Sequence, residues 1–259
     1  MFVKISRHSL LVAVASLTFA GAASTASATH SWGGYHWART ANPFTVDLGD
    51  NVSAAWESVL TTASSDWSQS VVLNTIVVPG LANPKNCRGT TGRVEVCNST
   101  YGNNGWLGIA SISITGGTHI TKGTVKLNDT YFNKPPYNTT AWRNLVTCQE
   151  IGHTFGLDHQ DENFGNANLG TCMDYTNDPS TNQHPNQHDY EELAIIYTHL
   201  DSTNTIGQSA SHSSAPDIDH NDPRSWGQLV KQSHGGRTAI YERDFGRGAK
   251  IVTFVIWAL

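Results

Sequence analysis

Residues 147 to 165 read TCQEIGHTFGLDHQDENFG, and their spacing decides most of what this chain can be. On an α-helix, positions four apart lie one above the other, so Gln149 and His153 face the same point, with Glu150 at the edge of that face. Gly156 lets the chain leave the helix through a positive φ. That exit brings His159 back toward the same point. Two imidazoles, a third donor and one position left for water form the layout of a catalytic zinc site. Such an ion lowers the pKa of bound water toward about 7, and Glu150 is placed to take the proton and pass it to a leaving amine.

A lone E-x-x-H is weak evidence, because a histidine is more often simply hydrogen-bonded or solvated. E-x-x-H-x-x-G-x-x-H within one run is far more demanding. Downstream, GTCMDYT (170–176) places Met173 inside Cys-Met-Asp-Tyr, and only Met1 is a methionine besides it. With these two runs the sequence resembles the metzincins, whose pattern is H-E-x-x-H-x-x-G-x-x-H followed by a turn with a methionine under the metal. It is most similar to matrixin-like secreted peptidases, over residues 36 to 200. The resemblance implies an α+β fold, the α/β-type catalytic domain of that group, with a twisted mixed β-sheet packed on long helices. It also implies that the strand around 107 to 115 binds substrate as an added β-strand, and that Tyr175 contacts the site. The match is specific at 150–159 and 172–175 and loose elsewhere.

Two departures stand out. Only residues 29 to 43 separate a leader from the first strand, so no latency segment with a metal-blocking cysteine is expected ahead of the domain. The larger departure is Gln149, where the pattern has histidine. Glutamine Oε1 and histidine Nε2 lie the same number of bonds from Cα, so the reach to a metal is similar. Both ligands are neutral, but an amide oxygen is the weaker donor to zinc and the longer side chain costs more entropy to order. The expected metal ligands are therefore His153, His159 and Gln149, with Glu150 catalytic.

The chain opens MFVKISRHS, then runs apolar through LLVAVASLTFAGAA to small residues in STASA. That order is a secretory signal peptide cleaved after Ala28. The whole chain carries 16 Lys+Arg against 21 Asp+Glu, net −5, and losing Lys4 and Arg7 with the leader makes it more negative. This argues against nucleic acid or an anionic membrane as partner. Four cysteines in an oxidising compartment should pair. Of three connectivities, Cys87–Cys97 and Cys148–Cys172 are favoured, the second tying the motif helix to the turn around Met173.

Alternating or apolar runs predict strands at 44–48, 71–78, 93–97, 106–115 and 122–128. A helix capped by Asp50 or Asn51 is expected over the stretch containing Trp56, Leu60 and Trp67. The motif helix should begin near Thr140, and a last helix should cover 189–200. The expected domains are a signal peptide at 1–28, a catalytic domain at 29–203, a linker at 204–223 and a C-terminal β-hairpin appendage at 224–259.

Several residues are read more plainly. His119 is expected to be a solvated turn histidine, with a second metal or substrate contact as the sharper alternative. His184, His188 and His199 are expected at the surface. DHQDENFGNAN lacks the spacing of a calcium loop, which leaves calcium unsupported. Sequons at Asn51, Asn98, Asn128 and Asn138 matter only in a glycosylating host. The expected activity is that of a secreted, monomeric zinc endopeptidase acting on peptide or protein. An inactive metal-binding pseudopeptidase that recognises peptides is the alternative. A structural or glycan-binding protein using the C-terminal hairpin is the third reading.

Overall fold

The computed structural model describes Met1 and residues 29–207, 215–233 and 235–258. The leader at 1–28, apart from Met1, lies outside the described residues. No helix among those described is long and apolar enough to cross a membrane.

In chain order the elements are β1 (His36–Trp37), β2 (Phe44–Asn51), α1 (Glu57–Trp67), β3 (Leu73–Pro79), β4 (Val94–Ser99), β5 (Trp106–Thr115) and β6 (His119–Asn128). There follow α2 (Asp129–Phe132), α3 (Thr140–His153), α4 (Gln187–Ile196), β7 (Gln228–Gln232), β8 (Thr238–Gly246) and β9 (Ala249–Trp257). One mixed sheet runs β3-β2-β4-β6-β5-β9-β8-β7, with β1 pairing β6 beside this path. β2, β3, β4 and β6 are parallel, and β5 turns antiparallel to β6. This is the expected α+β fold with a mixed sheet on helices.

The central parallel strands β4 and β6 are buried on both faces, whereas the edge strand β3 exposes Ile76 and Val77. Val46, Leu48, Val94, Val96, Val125 and Leu127 fill the core with Trp56 and Trp67 of the α1 region and Leu145 and Ile151 of α3. α1 starts later than expected. The ladder to β4 holds β2 in extended form as far as Asn51, paired with Cys97, and the Asn51 side-chain oxygen, the atom that would cap, accepts instead from the Ala82 N–H. Asn51 therefore cannot cap, and the helix begins after Trp56 with no side-chain cap. α4 is better framed: Asn186 and Asp189 form a reciprocal capping box. Asn51, Asn98 and Asn128 are buried, so of the four sequons only Asn138 is exposed for modification.

The C-terminal region is more than an appended hairpin. It supplies three strands, β7 to β9, and β9 joins the main sheet along the whole of β5. Part of the expected linker is also packed. Ala215 and Ile218 form a second core with Trp106, Ile109, Trp226, Ile251 and Val255. β9 is apolar from Ile251 to Trp257 except at Thr253, which bonds Ser111, because both its faces are covered: Val252, Phe254 and Ile256 face the main core and Ile251 and Val255 the second.

Candidate metal centre and its cover

α3 starts where the Thr139 hydroxyl accepts from the Trp142 N–H. Its inner face must come very close to α1. The Trp67 indole donates to the Cys148 carbonyl at 3.1 Å. At Gly152 a Cβ would lie 2.7 Å from both Trp67 and the Met173 sulfur. Met173 is therefore packed under the motif helix, and Gly152, unremarked in the sequence reading, is needed for that approach. Gly156 leaves the helix at φ +93°, and a Cβ there would sit 2.0 Å from the Tyr35 carbonyl oxygen. Both favoured disulfides form, Cys87–Cys97 and Cys148–Cys172.

Two of the expected donors converge, and the third lines the same space. His153 Nδ1 lies 2.8 Å from the Leu157 carbonyl, so that nitrogen carries the hydrogen and Nε2 presents a lone pair. His153 Nε2 and His159 Nε2 are 3.1 Å apart. Two ligands on a tetrahedral zinc are separated by about 3.3 Å, given bonds near 2.0 Å. The Gln149 amide donates to the Cys172 carbonyl at 2.9 Å. Its Oε1 is buried, lines the same space and has no hydrogen-bond partner among the described residues. A buried orphan acceptor is costly unless something electropositive meets it. The residues present therefore fit a zinc ion, with Gln149 holding its oxygen free for it.

Glu150 lies against β5. Its carboxylate accepts from the Ala110 backbone N–H, and Oε2 is a second buried atom without a partner. Burial pushes this carboxyl well above the usual range. Burial, and next the neighbouring His159, push His153 well below its ordinary value, keeping it the neutral imidazole that a metal requires. The Tyr175 ring stands 4.1 Å from that of His159.

What the sequence did not show is that this centre is covered. The resemblance left β5 free to receive a substrate strand, but β9 occupies it antiparallel, with Ala110 opposite Phe254 and Ser111 opposite Thr253. The Phe254 ring stacks on His153 at 4.1 Å and 7°. Thr238 hydrogen-bonds the Tyr175 hydroxyl. Lys231 reaches from β7 to Asp158 at 2.8 Å and Glu162 at 2.5 Å. Burial alone would raise Asp158, but His159 and Lys231 outweigh it and hold the carboxyl well below its usual range. Together Phe254, Val255, Ile256 and Thr238 close over Gln149, Glu150, His153 and His159 and leave no room for a water molecule. A preformed apolar strand with a free edge on β5 satisfies both its ladder and its side chains, which explains why it docks.

His184 is exposed and pairs with Asp66. His199 is at the surface as expected and His119 is partly exposed, but both stand beside His36 and Asp201 rather than alone in solvent.

No protein-family model and no curated protein matches this sequence. Among solved structures, myroilysin is similar at 11% identity and a TM-score of 0.36, over 62% of this chain and 96% of its own. High choriolytic enzyme 1, a hatching enzyme zinc-protease from Oryzias latipes (medaka fish), is similar at 8% identity and a TM-score of 0.34, over 63% and 94%.

Proposed function

We propose that this protein is a secreted zinc-dependent endopeptidase whose cleft is closed by its own C-terminal strands. The observation that carries the reading is the close approach of His153 Nε2 and His159 Nε2 in a space also lined by Gln149, whose buried Oε1 is unpartnered, and by Glu150. A pure binding module has no need of a general base.

A zinc ion held by His153, His159 and Gln149 supplies Lewis acidity and makes water a nucleophile near neutral pH. The chain's own residues do the rest. With β9 displaced, β5 offers its backbone edge to a substrate strand in the antiparallel register that β9 now uses. The Ala110 N–H holds Glu150 at that edge, so its free Oε2 can take a proton from water and return it to the leaving amine. Opening the cleft also removes the desolvation that raises the Glu150 carboxyl, favouring the ionised form a base needs. Leu157 and Cys172 carbonyls fix the orientation of His153 and Gln149.

The covered centre also supports a second reading, an inactive metal-binding protein in which β9 is permanently seated. One experiment separates the two. The natural chain and Phe254→Ala are compared for bound zinc and for casein digestion, with Phe254→Ala/Glu150→Gln as control. The expected result is zinc in all three, weak digestion by the natural chain, at least tenfold more by Phe254→Ala, and none by the control. A zinc-loaded, folded Phe254→Ala that leaves casein intact would establish the inactive reading.

A further inference from the structure

A second set of metal-binding side chains meets away from the motif. β1 pairs with β6 so that His36 stands opposite His119. The chain leaving α4 returns alongside, its Asp201 N–H donating to the Arg39 carbonyl at 2.9 Å. Three segments far apart in sequence thus deliver His36, His119, His199 and Asp201 to one place. Asp201 Oδ1 lies 3.5 Å from His36 Nε2, 3.3 Å from His119 Nε2 and 3.6 Å from His199 Nε2. His36 Nε2 and His199 Nε2 are 3.1 Å apart. The donor atoms of His36, His119 and Asp201 all lie within 4.8 Å of one another, and the spacings to Asp201 are close to the donor separation of about 3.3 Å on a tetrahedral zinc. His199 stands at the rim, next to His36 and Asp201.

The surroundings are those of a prepared ligand set. His36 Nδ1 lies 2.7 Å from the Gly34 carbonyl, which assigns its hydrogen to that side and turns the lone pair of Nε2 inward. Asp201 Oδ2 is taken by Arg39, through Nη1 at 2.8 Å and the backbone N–H at 3.2 Å, leaving Oδ1 for the cluster. His36 and Asp201 are buried or nearly so, while His119 and His199 are the accessible members. Imidazole nitrogens aimed at one carboxylate oxygen and at each other are mutually repulsive unless a cation or protons lie between them. The single carboxylate is already paired with Arg39, so it is poorly supplied to balance several imidazolium rings, whereas one divalent ion meets His36, His119 and Asp201 together.

We propose that His36, His119 and Asp201 bind a second zinc ion and that the exposed His199 ring turns in as the fourth ligand. Four protein ligands leave no position for substrate, so the ion is structural: it fastens the segment before β2 and the segment after α4 to the start of β6. This inference is independent of the peptidase reading, because it uses none of the motif residues.

The test counts zinc in the full chain after loading with zinc alone and removal of unbound metal. The natural protein should hold two per chain. His119→Ala and, separately, His199→Ala should each hold one, and both residues are exposed enough to be replaced without emptying a core. The double variant His153→Ala/His159→Ala should still hold one. In that double variant chelation should lower the melting midpoint by about 5–10 °C, the size expected for loss of a well-saturated ligand from a domain of this length. Adding His119→Ala should abolish that shift. Two zinc ions in a folded His119→Ala, or none in the double variant, would overturn the second site. Failure of the peptidase reading would show instead as inactivity of zinc-loaded Phe254→Ala.

Discussion

The two histidine clusters of this protein are built in opposite ways. Gln149, Glu150, His153 and His159 come from one short run, held by a helix, a glycine exit and the turn of Met173, and they are sealed beneath β9. His36, His119, His199 and Asp201 come from three separated segments, and two of their rings reach solvent. The contiguous cluster depends on local helical geometry, which a sequence displays. The assembled cluster depends on strand register and on where a loop returns. A histidine motif can thus be legible in sequence and yet be covered in the fold, while a cluster assembled from distant segments stays open.

The largest effect that would break this contrast is on chemistry. In the opened Phe254→Ala background, Glu150→Gln should cost about 10²–10⁴ in turnover, the range of general base catalysis, while zinc content stays unchanged. Normal turnover without the carboxylate would remove Glu150 from the mechanism. Next comes Gly156→Ala, which tests whether the two clusters are joined. The new Cβ must displace the Tyr35 carbonyl, 2.0 Å away, in a chain segment that leads directly to His36. The expected cost is several kcal/mol, from strain at positive φ as well as the clash. Zinc binding should weaken at both clusters; loss at one alone would show them to be mechanically separate.

A smaller effect is expected at Gln149. Gln149→Ala should weaken zinc binding at the motif about 10–100-fold and Gln149→His should tighten it, as read by competition with a chelator in the His119→Ala background. Equal affinity in Gln149→Ala would mean that the orphan Oε1 is not a ligand.

The smallest effect concerns how the C-terminal region is held. Lys126 on β6 is covered by the 215–226 segment, its ammonium meeting Asn221 and lying 4.2 Å from the Tyr101 ring centre. Burial lowers it to about 7, with Asp219 opposing. Between that value and the ordinary value near 10.5 the unfolded chain binds more protons than the folded one, so stability should rise with pH through this window. The slope should approach about 1 kcal/mol per pH unit near pH 8–9, measured by urea unfolding, and Lys126→Met should flatten it. A slope that persists in Lys126→Met would assign it to another group.

By itself the sequence determined what short-range geometry and composition can carry. Helical spacing fixed the common face of Gln149 and His153, Gly156 announced the exit, and Met173 directly after Cys172 announced the turn beneath. Apolar alternation located β2 to β6, and an apolar C-terminal run announced strands there. The α1 boundary was not legible, because the ladder between β2 and β4 claims Asn51 before it can cap. Nor was Gly152, whose need arises only when Trp67 and Met173 meet across the helix. Tertiary structure alone decided that β9 lies on β5, that Phe254 covers His153, and that His36 stands opposite His119 beside Asp201. Strand pairing is a contest among all free edges for one partner, settled by backbone ladders and burial summed over the whole molecule. A local reading of residues cannot see that competition, and so it found the chemistry of the cleft but not its cover.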